Sequence, residues 1–412
     1  MDCLFVHAGD GTFLLPVGVL ALADLLAREG LRARALNLSL ARLKDRGFSL
    51  QAFLRKSRPR FVAIPLHWCK QSKAALETAR LVKKTLPSAR TVLGGFTASC
   101  FAERIMGSSP DVDFIIRGDA EEPLLDLVRG RAHDRIPNLT WRQGKTPLAY
   151  RTSQAMLDRL RFTNLELLED ADAYLLESGN WVKDARTWTP CEAERVFHYC
   201  VGRGCLRNCS VCGGGGAAQK LLCGRRGILA KSAESVATDL ARLRPYCVDR
   251  VHFAFGPEEL EPYYIRLFGI LRKKRSSLRA TFEHWGLPGP KFLAAFSTTF
   301  AKPSAMLLSP GSGSERVRRF NSLAAYSNAD LERTLEAIGK AGIQPRSYFS
   351  SGYPFEKKED LRRTRSLVER LSRIPGFEPV HCPLELDPCS PAALSPERFG
   401  LARRDIGQRT YF

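Results

Sequence analysis

Residues 195 to 216 read RVFHYCVGRGCLRNCSVCGGGG, and the reading of this stretch decides the fold. Cys205, Cys209 and Cys212 fall within one tight loop, with Gly202 and Gly204 before it and four glycines after it. Three thiolates this close repel or oxidise unless a metal centre takes up their charge, and a cubane iron–sulfur cluster accepts thiolates readily. The glycines let the backbone approach inorganic sulfide and donate N–H groups to it. A structural zinc site is a competing reading. It needs a fourth ligand, for which Cys200 and Cys223 are the candidates, and such sites normally use paired CxxC knuckles. Unligated buried cysteines fit less well beside the polar Arg207 and Asn208.

Outward from this loop the chain alternates strands and helices. The strand RVFHYC leads into it; a helix over Ala233 to Leu243, the strands DRVHFAF and AMLLS, a helix over Leu331 to Lys340, the strand PRSYFSSG and a helix over Leu361 to Leu371 follow. Repeated strand-then-helix units predict a full or partial parallel TIM-type barrel over 195–390, with its chemistry on the loops after the strands. The first 130 residues carry their own alternation. CLFVH, RARALNL, FVAIPLH, TVLGG and DFIIRGD read as strands, a helix starts near Val17 and is capped by Gly30, and SKAALETARLVKKTL has helical apolar spacing. This predicts a Rossmann-like, doubly wound parallel sheet over 1–130, of class α/β, which binds ligands at the carboxyl ends of its strands. Residues 131–194 lose the alternation and read as a connector with a hairpin turning at Gln143-Gly144, and 391–412 read as a C-terminal extension.

A chain of 412 residues with 44% apolar content can build two or three cores. The 63 basic against 43 acidic side chains give a charge of +20, which favours polyanionic partners. The excess is spread along the chain, however, and its densest run, Arg272 to Arg275, reads as the solvated end of a helix, so nucleic acid is not an expected partner. Twelve cysteines lack the regular spacing of a secreted disulfide framework, which points to a reducing, cytoplasmic compartment. The apolar run Phe13 to Leu22 has neither a basic n-region nor a cleavage site, and reads as a buried helix rather than a signal peptide. No stretch reaches the roughly 20 apolar residues that span a bilayer.

The CxxxCxxC spacing of Cys205, Cys209 and Cys212 resembles that of the radical S-adenosylmethionine (SAM) superfamily. The resemblance implies a four-iron, four-sulfur (4Fe-4S) cluster on these cysteines, with one iron left open for the amino and carboxylate groups of SAM. It also implies reductive cleavage of SAM to a 5'-deoxyadenosyl radical, driven by an external one-electron reductant of the flavodoxin or ferredoxin type. Val211 stands where the family commonly has an aromatic residue. Val211, Gly213 and Gly214, together with Ser312 and Gly313 of SPGSGSERVRRFN (Ser309 to Asn321), are the SAM-binding candidates; Gly311 stands where the family often has Glu.

That segment, SSGYPFE (350–356), FEHWGLP (Phe282 to Pro288) and LDPCSPAALSPERFGL (386–401) are similar to segments of the cobalamin-binding subgroup. The subgroup implies cobalamin against the first sheet, with Pro16, Gly18, His67, Gly94, Gly95, Gly118 and Glu121 as candidates for contact. The DxHxxG motif is absent, so cobalt would bind without that histidine. His7 and His67 end the first and third strands, where a histidine is more often a hydrogen-bonded packing residue than a ligand. The implied activity is methylation of an unactivated carbon of a small molecule or peptide. Ring formation or another rearrangement is an alternative, as is tRNA methylthiolation, although the latter needs a second cysteine trio where this chain has only the scattered Cys3, Cys69 and Cys100. A zinc-stapled nucleic-acid-binding protein is the non-enzymatic alternative. Cys191 and Cys200, like Cys382 and Cys389, read as structural cysteines before ligands of an auxiliary cluster.

Overall fold

Short apolar runs build the first sheet of the computed structural model, which describes residues 1–9, 14–184, 194–382 and 384–402, with backbone alone for 179–184. β1 (Cys3–His7), β2 (Ala33–Asn37), β3 (Phe61–Pro65), β4 (Arg90–Gly94) and β5 (Phe114–Ile116) pair in parallel in the order β2-β1-β3-β4-β5. β6 (Leu139–Trp141) and β7 (Gly144–Lys145) form the expected hairpin and extend this sheet antiparallel at the β5 edge. Alternate strand residues serve two cores. Phe5, Ala35, Ala63 and Val92 join the helix Val17–Arg28 on one face, and Val6, Leu36, Val62 and Leu93 join the helix Ser72–Thr85 on the other. Burial of both faces is why these strands read as unbroken apolar runs. The strand order reverses between β1 and β3, which puts a ligand crevice beyond the ends of those strands.

The second half begins with β8 (Val196–Tyr199), followed by a small antiparallel pair, β9 (Gly202–Gly204) and β10 (Ile228–Ala230). β11 (Arg250–Phe253), β12 (Arg279–His284), β13 (Ala301–Gly311), β14 (Gln344–Phe349) and β15 (Glu378–His381) complete a six-stranded parallel sheet in the order β15-β14-β13-β12-β11-β8. Strands β8 and β15 are edges, so the barrel is partial. Phe197, Val251, Phe253, Phe282 and Leu308 pack outward with residues of the helices Ala233–Ala241, Glu261–Lys273 and Pro290–Ser297. Their alternates, His198, His252, Thr281, Glu283, Arg346 and Tyr348, take the inner face. β12 and β15 are absent from the strands that apolar runs predict, because Arg279, Glu283 and Glu378 interrupt them.

A buried charge cluster joins the two halves. Arg203 of β9 donates to Asp119 (2.9 Å), Glu121 (2.5 Å) and Thr152 Oγ1 (3.0 Å), and Arg225 pairs with Asp119. Burial opposes ionisation of Asp119, but Arg203 and Arg225 outweigh it and hold the carboxyl below its ordinary value. Gly118 (φ +67°) lies in the same seam, where a Cβ would sit 2.9 Å from the Leu222 carbonyl oxygen. A disulfide between Cys100 and Cys389 also crosses it. No helix among the described residues is long and apolar enough to cross a membrane.

Candidate functional site

The cysteine loop leaves β8 through Cys200, whose thiol donates to the Gly202 carbonyl (3.2 Å). At Gly204 (φ +93°) a Cβ would lie 2.1 Å from the Gly227 carbonyl oxygen, so the turn into the loop admits glycine alone. The loop is gripped from two sides. The Ser210 amide and hydroxyl donate to the backbone and side-chain oxygens of Asn321 (3.0 and 2.5 Å), while the Ala392 amide donates to the Ser210 carbonyl (2.8 Å). Asp387 accepts from the Gly213 amide (3.0 Å) and donates its own amide to the Val211 carbonyl (3.1 Å). The Ser309–Asn321 and 386–401 segments, distant in sequence, therefore converge on the loop.

The sulfurs are prepared to carry charge. The Arg207 amide donates to Cys205 Sγ (3.3 Å) and the Gly214 amide to Cys212 Sγ (3.4 Å). Burial pushes the Cys205 and Cys209 thiols up, and Cys212 up to about 11, so the protein alone keeps them protonated; iron would supply the missing compensation. Among the described residues no three His, Cys, Asp or Glu side chains converge on a single metal position. The proposed fourth zinc ligands sit elsewhere: Cys200 faces Gly202, and Cys223 is buried with Ala218 and Leu222. Cys191 lies outside the described residues. Cys382 is a half-buried free thiol.

A pocket of about 360 Å³ opens beside the loop, lined by Arg207, Glu258, Leu287, Leu323, Ala325 and Tyr326. Arg207 spans it, donating to the Trp285 carbonyl (2.7 Å) and lying 3.5 Å from Glu258. Ser312 and Gly313 do not line this pocket. Ser312 is buried, and the Gly313 amide donates to Thr364 Oγ1 (2.9 Å) under the helix Lys358–Leu371. At Gly311 (φ +73°) a Cβ would lie 2.5 Å from the Tyr353 hydroxyl, so this tyrosine fills the space that the family's glutamate would enter.

The strand-end crevice of the first sheet gathers Gly94, Gly95 and His67. Gly95 (φ +109°) passes so close to β3 that a Cβ would lie 2.7 Å from the Leu66 carbonyl oxygen. His67 packs between Trp68 (5.0 Å) and Phe96 (4.9 Å), and burial pushes its imidazole down to about 4, leaving it neutral. Pro16 caps the helix Val17–Arg28, and open space surrounds Gly18. A bare backbone ledge with a neutral aromatic wall fits a large, flat cofactor. Gly118 borders both regions: its amide donates to Ser99 Oγ (3.0 Å), which donates to the Gly95 carbonyl (2.8 Å), while a Cβ on it would meet the Leu222 carbonyl oxygen of the seam; Glu121 pairs with Arg203 in that seam. His7 is fully buried against Gln71. Sequence reasoning missed Arg203, Glu258, Tyr353 and Asp387; Tyr353 and Asp387 lay inside family-like segments, while the others were not singled out.

Residues 6–128 match the family described as the B12 binding domain. The anaerobic magnesium-protoporphyrin IX monomethyl ester cyclase of Cereibacter sphaeroides is 27% identical over 140 residues, which is 34% of this chain and 22% of that protein. The chain thus spans about a fifth of that curated relative. Among solved structures, the radical SAM methyltransferase TsrM of Kitasatospora setae, with tryptophan substrate and the SAM analogue aza-SAM bound, superposes with a TM-score of 0.73 at 16% identity, covering 94% of this chain and 74% of its own. The same protein with cobalamin and a [4Fe-4S] cluster bound gives 0.70 at 16% identity, covering 94% and 73%. The likeness runs through both sheets. The chain has the α/β fold the resemblance implied, a sheet that matches the B12 binding domain followed by a partial barrel that superposes on that of TsrM.

Proposed function

We propose that this chain is a cobalamin-dependent radical SAM enzyme that holds a 4Fe-4S cluster on Cys205, Cys209 and Cys212 and methylates an unactivated carbon of a small molecule or peptide. The cysteine loop carries the reading: three thiols, two of them already accepting backbone N–H groups, at the end of the first barrel strand and across a seam from a B12-type sheet. When bound, the cluster with SAM supplies a 5'-deoxyadenosyl radical and the corrinoid supplies the methyl group. The residues do the rest. Asn321, Asp387 and Ala392 fix the loop, Arg207 and Glu258 offer opposite charges suited to the carboxylate and amine of SAM, and Gly94 and Gly95 leave room for the corrinoid.

An unactivated C–H bond offers no acidic proton to a general base, so such a carbon calls for radical activation. An external one-electron reductant is the expected partner. Tryptophan, the substrate bound to TsrM, is the first compound to test. Alignment with the cyclase supports ring formation as the second reading. The decisive experiment is anaerobic reconstitution with iron, sulfide, hydroxocobalamin and SAM. Visible iron–sulfur absorption, co-eluting cobalamin and 5'-deoxyadenosine are expected; Cys205→Ala, Cys209→Ala and Cys212→Ala combined are expected to abolish the first. Undiminished absorption in that variant overturns the cluster assignment. Failure to bind cobalamin removes methyl transfer and leaves radical cleavage standing.

A further inference from the structure

Glu283 projects from β12 into the barrel with its side chain 24% exposed. This chain is rich in cations, and most of its other inward or buried carboxylates pair with them, although Glu261 pairs with His284 (3.0 Å) and Asp387 with the Gly213 amide (3.0 Å). Asp119 pairs with Arg203 and Arg225, Glu194 with Arg250 and Arg279, Glu378 with Arg346, and Asp360 with Arg316. Glu283 has no lysine or arginine partner among the described residues. Its neighbour is His252, whose Nε2 lies 2.7 Å from Glu283 Oε1.

On the same inner face Arg346 lies two strands away and pairs with Glu378. His252 stacks on His198 at 4.7 Å, and burial drives the His198 imidazole down to about 3, so that ring carries no charge. Burial and then the charge of Glu283 push the Cys382 thiol up; burial mainly, with a contribution from Glu283, puts Cys200 at about 11 and raises the Tyr348 phenol. A carboxylate withdrawn from water with no cation is destabilising, and a glutamine would fill the same space at lower cost. Its position is equally telling. Two residues on, the Trp285 carbonyl accepts from Arg207 of the cysteine loop, so Glu283 stands beside the proposed reaction centre.

We propose that Glu283, oriented by His252, binds a positively charged amine of the substrate, which makes that substrate an amino acid, another amine-bearing small molecule or a peptide amine. This rests on the barrel being the catalytic chamber, as proposed above. Such a site trades stability for binding, and a purely structural carboxylate does not. The distinction can be measured.

The test uses the full chain after anaerobic reconstitution, with thermal unfolding and calorimetric binding as readouts. Three probes share one ring and differ in charge: phenethylamine, 2-phenylethanol and 3-phenylpropionate. The amine is expected to bind at least about tenfold tighter than the alcohol, a preference of about 1.4 kcal/mol. Glu283→Gln is expected to lose that preference while unfolding no earlier than the wild type, and Glu283→Asp to keep the preference at weaker affinity. Equal binding of all three probes, no binding of the amine at millimolar concentration, or early unfolding of Glu283→Gln overturns the proposal. Wild type that prefers the amine yet assembles no cluster leaves the amine site standing and sinks the enzyme reading; the reverse sinks the amine site alone.

Discussion

The two mainly parallel sheets of this chain have opposite habits. In the first, all five residues of β1 are buried and successive side chains enter two separate apolar cores. In the second, Phe197, Val251, Phe253 and Phe282 turn outward to the helices, while His198, His252, Glu283 and Arg346 turn inward. A flat sheet covered on both faces has room for chemistry only at its strand ends, where Gly94, Gly95 and His67 sit. A curved sheet encloses an interior of its own and can hold ionisable groups there, provided each finds a partner. The seam between the two sheets obeys the second rule: its charges are buried and paired.

Several substitutions probe this contrast. The largest effect is expected at the seam. Arg203→Met removes the cation shared by Asp119 and Glu121; Asp119 keeps Arg225, but Glu121 is left buried without a cation, which should cost about 3–5 kcal/mol in urea unfolding. A loss under about 1 kcal/mol would mean that water already compensates them. At the first sheet's strand end, Gly95→Ala meets both a positive φ and the Leu66 carbonyl oxygen, and is expected to cost about 1–3 kcal/mol. Loss of cobalamin binding from this variant at unchanged cluster content would tie the ledge to the corrinoid. Within the doubly covered sheet, Ile64→Val should cost only about 0.5–1.5 kcal/mol, since one methyl group is removed from an apolar core.

The smallest effect concerns the barrel interior and vanishes at neutral pH. Unfolded histidine takes up a proton near 6.5, whereas folded His198 stays neutral down to about 3. Between those values the unfolded chain binds the extra proton, so stability is lost as pH falls through this window. His198→Phe keeps a ring against His252 and should narrow the gap between the urea midpoints at pH 7 and pH 5. An unchanged gap would assign the acid sensitivity to other groups.

Legibility followed the same division. Strands β1 to β5 were readable because burial of both faces demands unbroken apolar runs, and the hairpin expected at Gln143-Gly144 forms one residue earlier, turning at Arg142-Gln143. In the barrel, β8, β11, β13 and β14 were readable from their apolar residues, whereas β12 and β15 were not, because Arg279, Glu283 and Glu378 broke the pattern. One of the two strands that escaped carries Glu283. Ionisable residues placed inward for binding or pairing spoil the periodicity by which strands are recognised. The cysteine loop lay open to reading because all three thiols are local in sequence. Tyr353 against Gly311, and Asp387 against Gly213, join residues 42 and 174 positions apart, and no spacing rule reaches that far.

By itself the sequence determined the α/β class, the order of the two sheets and the loop of Cys205, Cys209 and Cys212, all of which rest on short-range periodicity and spacing. Only the tertiary structure decided what surrounds that loop. It placed Glu121 in the seam and Gly118 between the seam and the crevice, set Ser312 and Gly313 under a helix, and gave Glu283 no lysine or arginine partner among the described residues. The physical reason is common to all of them: a side chain's charge and shape are local properties, but its partners are chosen by strands and helices that meet only when the chain has folded.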